Sequence, residues 1–154
     1  MLDRLLRKFD TARKLVPKPI VEQGARTDIA IVSIGSSDGA VREALDLLAA
    51  QGVPCNYLRI RAFPFGDEVE RFLEDHRVLF VVEQNRDAQL KSLLTLETRV
   101  EKSKLRSLLH YNGLPVSSQF IVEGVLAEVQ RGTLPAAGLA RPAAGAARSG
   151  AGVV

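Results

Sequence analysis

The feature that most constrains the fold is an alternation of short apolar runs with amphipathic segments between residues 28 and 130. The apolar runs are rich in Ile, Val, Leu and Phe, and they predict strands at 28–34, 53–60, 77–83 and 104–109. The segments around them predict helices at 37–51, 67–75, 86–97 and 117–130. This alternation is typical of βαβ units, and strands apolar on both faces indicate helices on both sides. We therefore predict an α/β fold, a three-layer α/β/α sandwich with a mostly parallel sheet.

Two segments of different composition flank this body. Residues 1–19 predict a basic amphipathic linker helix that ends at a pair of prolines, and its apolar stripe needs a docking surface on the body or on another chain. Fifteen of the last 23 residues are Ala, Gly or Pro, which predicts a disordered tail at 132–154. The expected domain is therefore 20–131.

Composition excludes several classes of protein. The formal charge of +3 suggests a nucleic-acid partner, but the excess of positive charge lies in the two flanks, because residues 20–131 hold thirteen basic and sixteen acidic side chains. We therefore expect no nucleic acid as a partner. No apolar run approaches the roughly 20 residues of a membrane span, so no membrane partner and a cytoplasmic location are expected. Cys55 is the only cysteine, which rules out an internal disulfide and a cysteine-ligated iron–sulfur cluster within the chain.

The first candidate site is the turn Gly35, Ser36 and Ser37 between the first predicted strand and its helix. Ligands of open α/β sheets bind at the carboxyl ends of strands, and backbone N–H groups at a helix start can hold an anion. One interpretation is a stand-alone module that binds an anionic small ligand here, helped by Arg61. The other interpretation is a tight turn in which Gly35 permits the bend and Ser36, Ser37 or Asp38 caps the helix.

The second candidate site is a polar cluster that follows the third predicted strand, composed of Glu83, Gln84, Asn85 and Gln89. Its amides both donate and accept hydrogen bonds, so they could hold a ligand or a partner backbone. The other interpretation is a helix cap at Asn85 inside a satisfied polar network. Glu83 has no nearby carboxylate in the sequence with which to form an acid–base pair.

Other candidates carry less specific chemistry. Arg61 could bind a phosphate or carboxylate, while Phe63 and Phe65 could form an interface or a buried aromatic loop. His110 lies in a turn-like stretch where it could contact a partner, whereas His76 is expected to be exposed. Cys55, in an apolar run, is expected to be a core residue and not a nucleophile. No catalytic residues and no metal ligands are predicted.

Three stretches together resemble a known family: IVSIGSSDGAVREALDLLAAQGVPCNYLRIRAFPF, VLFVVEQNRDAQLKSLL and LLHYNGLPVSSQFIVEGV. They are similar to the C-terminal part of the α subunit of 2-oxoacid:ferredoxin oxidoreductases, above all the 2-oxoglutarate enzymes. The strings at 83–90 and 110–113 carry most of this specificity, and residues 1–19 resemble the linker that leads into this part. The resemblance implies a domain like the C-terminal domain of transketolase.

The resemblance also implies a function for the complete enzyme. Members of the family oxidatively decarboxylate a 2-oxoacid with coenzyme A, thiamine diphosphate and magnesium, and they pass electrons through an iron–sulfur cluster to ferredoxin. A family α subunit is several times longer than this chain, and the cofactor lies between other domains. We therefore expect that this chain alone binds none of these cofactors and is inactive by itself.

The expected role is that of an assembly domain. Its partners would be the β subunit and the catalytic domains of the same oxidoreductase, with a homodimer as a further possibility and ferredoxin as the partner of the full complex. Under this hypothesis Arg61, Glu83, Gln84 and Asn85 line an interface or a channel. The full set of ligand or interface candidates is Gly35, Ser36, Ser37, Arg61, Glu83, Gln84, Asn85, Gln89 and His110.

Overall fold

The computed structural model describes residues 2–23 and 27–132, and the predicted tail at 132–154 lies almost wholly outside the described residues. The helices are α1 (Leu2–Leu15), α2 (Asp38–Ala50), α3 (Asp67–Asp75), α4 (Gln89–Glu97) and α5 (Ser118–Gln130). The strands are β1 (Ile20–Glu22), β2 (Ile29–Ile34), β3 (Asn56–Ile60), β4 (Val78–Glu83) and β5 (Leu105–Leu109). All eight elements that the alternation predicts are present, with boundaries that differ by three residues or fewer.

One sheet joins all five strands in the order β1-β3-β2-β4-β5. Strands β2 to β5 are parallel, whereas β1 pairs with β3 in the antiparallel sense, with Ile20 opposite Arg59. The predicted mostly parallel sheet is confirmed. The sequence analysis missed β1, which has three residues and no fully buried side chain, so it lacks the apolar run that marks the other strands.

Alternate residues of the central strands fill two separate cores. Ile29, Ile31 and Phe80 face α2 and α5, whereas Ala30, Val32 and Leu79 face α3 and α4. This division follows from the two-residue period of a strand, and it confirms the predicted three-layer sandwich. All six residues of β4 are buried, as expected for a central strand covered on both sides.

Helix α1 lies beside this sandwich with its apolar stripe uncovered. Leu5, Leu6 and Phe9 are exposed, although the helix, at Leu2–Leu15, has the predicted amphipathic pattern. Its attachment is at its C-terminal end, where Lys18 forms an ion pair of 3.0 Å with Glu68 at the start of α3. No helix within the described ranges is long and apolar enough to cross a membrane.

The structure corrects the predictions for His76 and Ser37, and it places Gly52 just after the end of α2. His76, expected to be exposed, is 2% exposed: its Nδ1 lies 2.7 Å from the Phe72 carbonyl oxygen and its Nε2 lies 2.9 Å from the Asn56 amide nitrogen. Ser37 occupies the position before α2 but makes no capping side-chain hydrogen bond, so the predicted cap is wrong there. Gly52 ends α2 with a φ of 76°, as its position predicts.

Candidate functional site at the carboxyl edge of the sheet

The candidate residues lie at the point where the strand order reverses. Strand β2 has β3 on one side and β4 on the other, and the helices that follow β2 and β3 cover opposite faces of the sheet. A crevice therefore opens beyond the carboxyl ends of β2 and β4, where ligands of open α/β sheets bind. The turn at Gly35–Ser37 and the segment beginning at Gln84 form its two walls.

Gln84 joins three loops at this crevice. Its Nε2 donates to Ser36 Oγ at 3.1 Å, and its Oε1 accepts from the Val116 backbone N–H at 3.3 Å. A groove of about 600 Å³ opens beside it, lined by Ser36, Gln84, His110, Tyr111, Gly113, Leu114, Pro115 and Val116. The structure thus brings together candidates from three separate motifs, in a groove where Gln84 bonds to the segments on both sides of it.

Glu83 is buried and serves the fold. It is 3% exposed, and its carboxylate accepts from the backbone N–H groups of Leu90 at 2.5 Å and Lys91 at 3.3 Å. These N–H groups belong to the first turn of α4, which otherwise lacks acceptors, and a negative charge there is favoured by the helix dipole. Asn85 Nδ2 donates to the same carboxylate at 3.0 Å. Glu83 therefore holds the start of α4 and does not face the groove.

Asn85 and Gln89 continue this arrangement. Asn85 Oδ1 accepts from the backbone N–H groups of Asp87 at 3.1 Å and Gln89 at 3.3 Å, which confirms its interpretation as a cap. Ala88 adopts a left-handed φ of 51° just before α4, so the helix begins three residues later than predicted. The tight loop from Asn85 to Ala88 leaves the Gln89 side chain exposed on the surface of α4.

A network around Asp38 was missed by the sequence analysis. The buried hydroxyls of Ser33 and Tyr57 lie 2.7 Å apart, and the Tyr57 hydroxyl donates to Asp38 at 3.1 Å. Arg42 and Arg59 donate to the other carboxylate oxygen at 3.1 and 3.3 Å. Tyr57 itself was the available signal, because a buried phenol needs a hydrogen-bond partner.

The electrostatics of this network suit a structural role. Burial raises the pKa of Asp38, but hydrogen bonds from Arg42 and Tyr57 outweigh it and hold that pKa below its usual value. Burial raises the pKa of Tyr57 to about 12, so its phenol stays protonated. Both arginines nearest the Gly35 turn are thus paired with Asp38, which leaves them poorly placed to attract an anion.

Arg61 lies apart from the other candidates. It is exposed, and it does not line the groove. No lysine or arginine among the described residues lines the groove, so the geometry gives the hypothesis of an anionic ligand at Gly35–Ser37 little support. In the loop that follows Arg61, Phe65 is buried and Phe63 is exposed. The two rings pack edge-on, with their centroids 5.4 Å apart.

His110 stands where β5 ends. Its backbone N–H donates to the Glu83 carbonyl at 2.9 Å, and its ring packs edge-on against Phe120 at 5.0 Å. Its Nδ1 is buried and finds no hydrogen-bond partner among the described residues. Cys55 is partly buried, and burial raises the pKa of its thiol to about 12, which supports its interpretation as a packing residue.

Large apolar side chains are exposed along the same edge of the sheet. Ile34 ends β2, Phe63 follows β3, and Tyr111 and Leu114 follow β5, with exposed fractions of 44%, 44%, 63% and 67%. Because these strands are parallel, their carboxyl ends meet at one edge of the sheet. Of the four side chains, Tyr111 and Leu114 line the Gln84 groove. We call the set of four the apolar edge face.

The fold is that of an α/β/α domain whose candidate residues lie at or near the carboxyl edge of the sheet. Its carboxylates, Asp38 and Glu83, are occupied by internal hydrogen bonds, and the described ranges contain no group of three or more His, Cys, Asp or Glu suited to a metal ion.

Comparisons with known proteins agree on one family. The model of the pyruvate:ferredoxin oxidoreductase core domain II matches residues 27–114, and the chain belongs to that family. It is 31% identical over 134 residues to the α subunit of 2-oxoacid:ferredoxin oxidoreductase 2 from Aeropyrum pernix, covering 84% of this chain and 20% of that one. It is 31% identical over 137 residues to the corresponding α subunit of Saccharolobus solfataricus, covering 86% and 21%. The chain thus spans about a fifth of the length of these curated relatives.

A solved structure supports the same assignment. The 2-oxoglutarate:ferredoxin oxidoreductase from Magnetococcus marinus, with 2-oxoglutarate, coenzyme A and succinyl-CoA bound, superposes with a TM-score of 0.69 at 26% identity. The superposition covers 79% of this chain and 21% of that chain. The resemblance found in the sequence and the fold of the transketolase C-terminal type are both confirmed.

Proposed function

We propose that this chain is the assembly domain of a 2-oxoacid:ferredoxin oxidoreductase α subunit, with 2-oxoglutarate as the substrate of the full complex. The observation that carries the proposal is the apolar edge face, on a chain that belongs to this family. The Magnetococcus marinus enzyme, whose structure holds 2-oxoglutarate, supports the choice of substrate. In the complex, the β subunit or the catalytic domains would cover the apolar edge face.

The energetics of the apolar edge face favour burial. Covering a large apolar side chain contributes about 1.5–3 kcal/mol, so four such side chains provide a substantial driving force for association. Ser36 and Gln84, which lie among them, already share a hydrogen bond. A partner can therefore cover these polar groups without having to satisfy every donor and acceptor itself.

The chemistry of the complex would come from other domains. Thiamine diphosphate, magnesium, coenzyme A and the iron–sulfur cluster would serve the oxidative decarboxylation, and ferredoxin would accept the electrons. The polar side chains that line the groove, those of Ser36, Gln84, His110 and Tyr111, include no carboxylate, lysine or arginine, so they do not fit a diphosphate with its magnesium ion. The proposed role of these residues is therefore positional.

The test compares two substitutions of exposed leucines. Leu114→Glu places a charge in the apolar edge face, whereas Leu96→Glu places one near the end of α4, at the opposite edge of the sheet. Association with the remaining subunits of the oxidoreductase encoded in the same genome would be measured by light scattering. We expect Leu114→Glu to weaken association at least tenfold and Leu96→Glu to leave it unchanged.

The second readout is turnover. The purified chain, supplied with 2-oxoglutarate, coenzyme A, thiamine diphosphate, magnesium and ferredoxin, should show no ferredoxin reduction until the remaining subunits are added. Turnover by the chain alone would contradict the proposal. Equal association by the two leucine variants would show that the apolar edge face is not the interface.

A further inference from the structure

The two outer strands of the sheet, β1 and β5, differ in how well their free sides are protected. The short antiparallel strand β1 covers β3, and its Glu22 forms an ion pair with Arg42 of α2. The opposite edge is β5, a parallel strand of five residues with no further strand beside it among the described residues. Proteins commonly blunt exposed edges with short or interrupted strands. By this measure β1 is protected and β5 is not.

The hydrogen-bond pattern shows which groups of β5 face outward. His110 N–H donates to the Glu83 carbonyl, and Leu108 pairs with Val82 in β4. In a parallel ladder, alternate residues turn both backbone groups toward the same neighbour. The backbone groups of Ser107 and Leu109 therefore point away from β4, and no described residue donates to or accepts from them.

Positive charge gathers at the start of this strand. Residues 97–106 hold four basic and two acidic side chains, and they lead directly into β5. The pKa of Lys91 on α4 is lowered, first by burial and then by the charges of Lys102 and Arg106, which shows that these three cations are close. Arg106 also lies 3.8 Å from Glu128, whereas Lys102 is exposed with no ion-pair partner among the described residues.

We propose that the open edge of β5 binds an extended acidic segment of a partner chain by strand addition. The backbone groups of Ser107 and Leu109 would continue the ladder, and carboxylates of the segment would face Lys102 and its neighbours. A second copy of this chain is a poorer occupant, because it brings the same cations. The chain's own residues 133–154 fit poorly as well, since they contain two arginines and no acidic residue.

The test uses the full chain and two capped heptapeptides, acetyl-Thr-Val-Glu-Val-Glu-Val-Thr-amide and its counterpart with lysine in place of glutamate. We expect the acidic peptide to bind at least tenfold more tightly, with tighter binding at low salt. Backbone amide exchange at Ser107 and Leu109 should slow when it binds. Binding is measured by fluorescence anisotropy of labelled peptide and exchange by NMR.

Matched variants separate the ladder from the charge. Ser107→Pro removes an outward N–H group that β4 does not use, and Ser107→Ala retains it, so only the first should weaken binding, by about tenfold. Lys102→Glu should weaken it about fivefold, whereas Lys14→Glu on α1 should not. If Ser107→Pro fails to fold, the comparison of Lys102→Glu with Lys14→Glu still tests the proposal. Equal binding of the two peptides, or amides at 107 and 109 protected without peptide, would overturn the proposal.

Discussion

Replacing Glu83 tests whether a buried carboxylate at the carboxyl edge serves the fold. Glu83→Gln keeps one acceptor for the N–H groups of α4 but removes the charge. Charge-assisted hydrogen bonds are worth about 1.5–3 kcal/mol against about 1 for neutral ones, and the dipole adds about 0.3–1. We expect the free energy of unfolding to fall by about 1–2 kcal/mol, the lower end applying if the amide reorients.

Glu83→Leu removes both acceptors and extends the test. Two N–H groups in the first turn of α4 then lose their partner, and each unsatisfied buried group costs about 1–3 kcal/mol. The expected loss is about 3–5 kcal/mol, with the helix start partly rehydrated. Glu97→Gln, at the exposed C-terminal end of α4, is the control, and should change stability by less than about 0.5 kcal/mol because a negative charge there opposes the dipole.

The assay is urea unfolding followed by circular dichroism at 222 nm, with stability taken from the midpoint at constant slope. An unchanged slope shows that the surface exposed on unfolding is the same in each variant. The capping role of Glu83 is wrong if Glu83→Gln unfolds at the same urea concentration as the parent. It is also wrong if Glu97→Gln is as damaging as Glu83→Leu.

Further predictions concern buried groups elsewhere. The Cys55 thiol, with its pKa raised to about 12, should react with an aromatic disulfide at pH 8 about a hundredfold more slowly in the folded chain than in urea. Burial holds the pKa of His76 below 6.5, so as the pH falls the unfolded chain takes up a proton before the folded chain does. The free energy of unfolding should therefore fall as the pH drops below 6.5, by up to about 1.4 kcal/mol per pH unit. His76→Gln should flatten this dependence on pH. A Cβ at Gly124 would lie 2.5 Å from Leu108 Cδ2, so the end of that side chain must shift, while alanine gains about 1 kcal/mol of helix propensity within α5. Gly124→Ala should therefore cost at most about 2 kcal/mol in urea unfolding, whereas Gly39→Ala meets no atom within 4 Å and should not destabilise.

The fold could be predicted because its central strands are buried on both faces. Burial of that kind requires continuous apolar runs such as β4, and these runs are visible in sequence without any knowledge of what packs on them. Strand β1 has no such run, since its pairing with β3 depends on contacts between Ile20 and Arg59, which are 39 positions apart. The burial of His76 was not predicted for a similar reason, because it depends on Asn56, which is 20 positions earlier in the chain.

The candidate site was predictable in position but not in role. Ser36 and Gln84 each follow a predicted parallel strand, and because such strands end at one edge of the sheet, the two side chains can share a hydrogen bond. The side chain of Glu83 alternates to the other side of β4 and caps α4, which the order of residues alone does not reveal. Arg61 follows β3, which lies on the far side of β2 from β4, and it does not reach the groove.

The distribution of polar groups at the carboxyl edge favours assembly over catalysis. A catalytic edge needs polar side chains held ready for a substrate, and such groups normally point into an open cavity with bonds still to make. Here Asp38 has three donors around it, Glu83 has three, and Gln84 uses both ends of its amide within the chain. Apart from His110 Nδ1, what remains available among these groups is the apolar edge face. Burial of that surface needs a complementary apolar face and no reactive group, which is what a domain that holds catalytic neighbours in place requires.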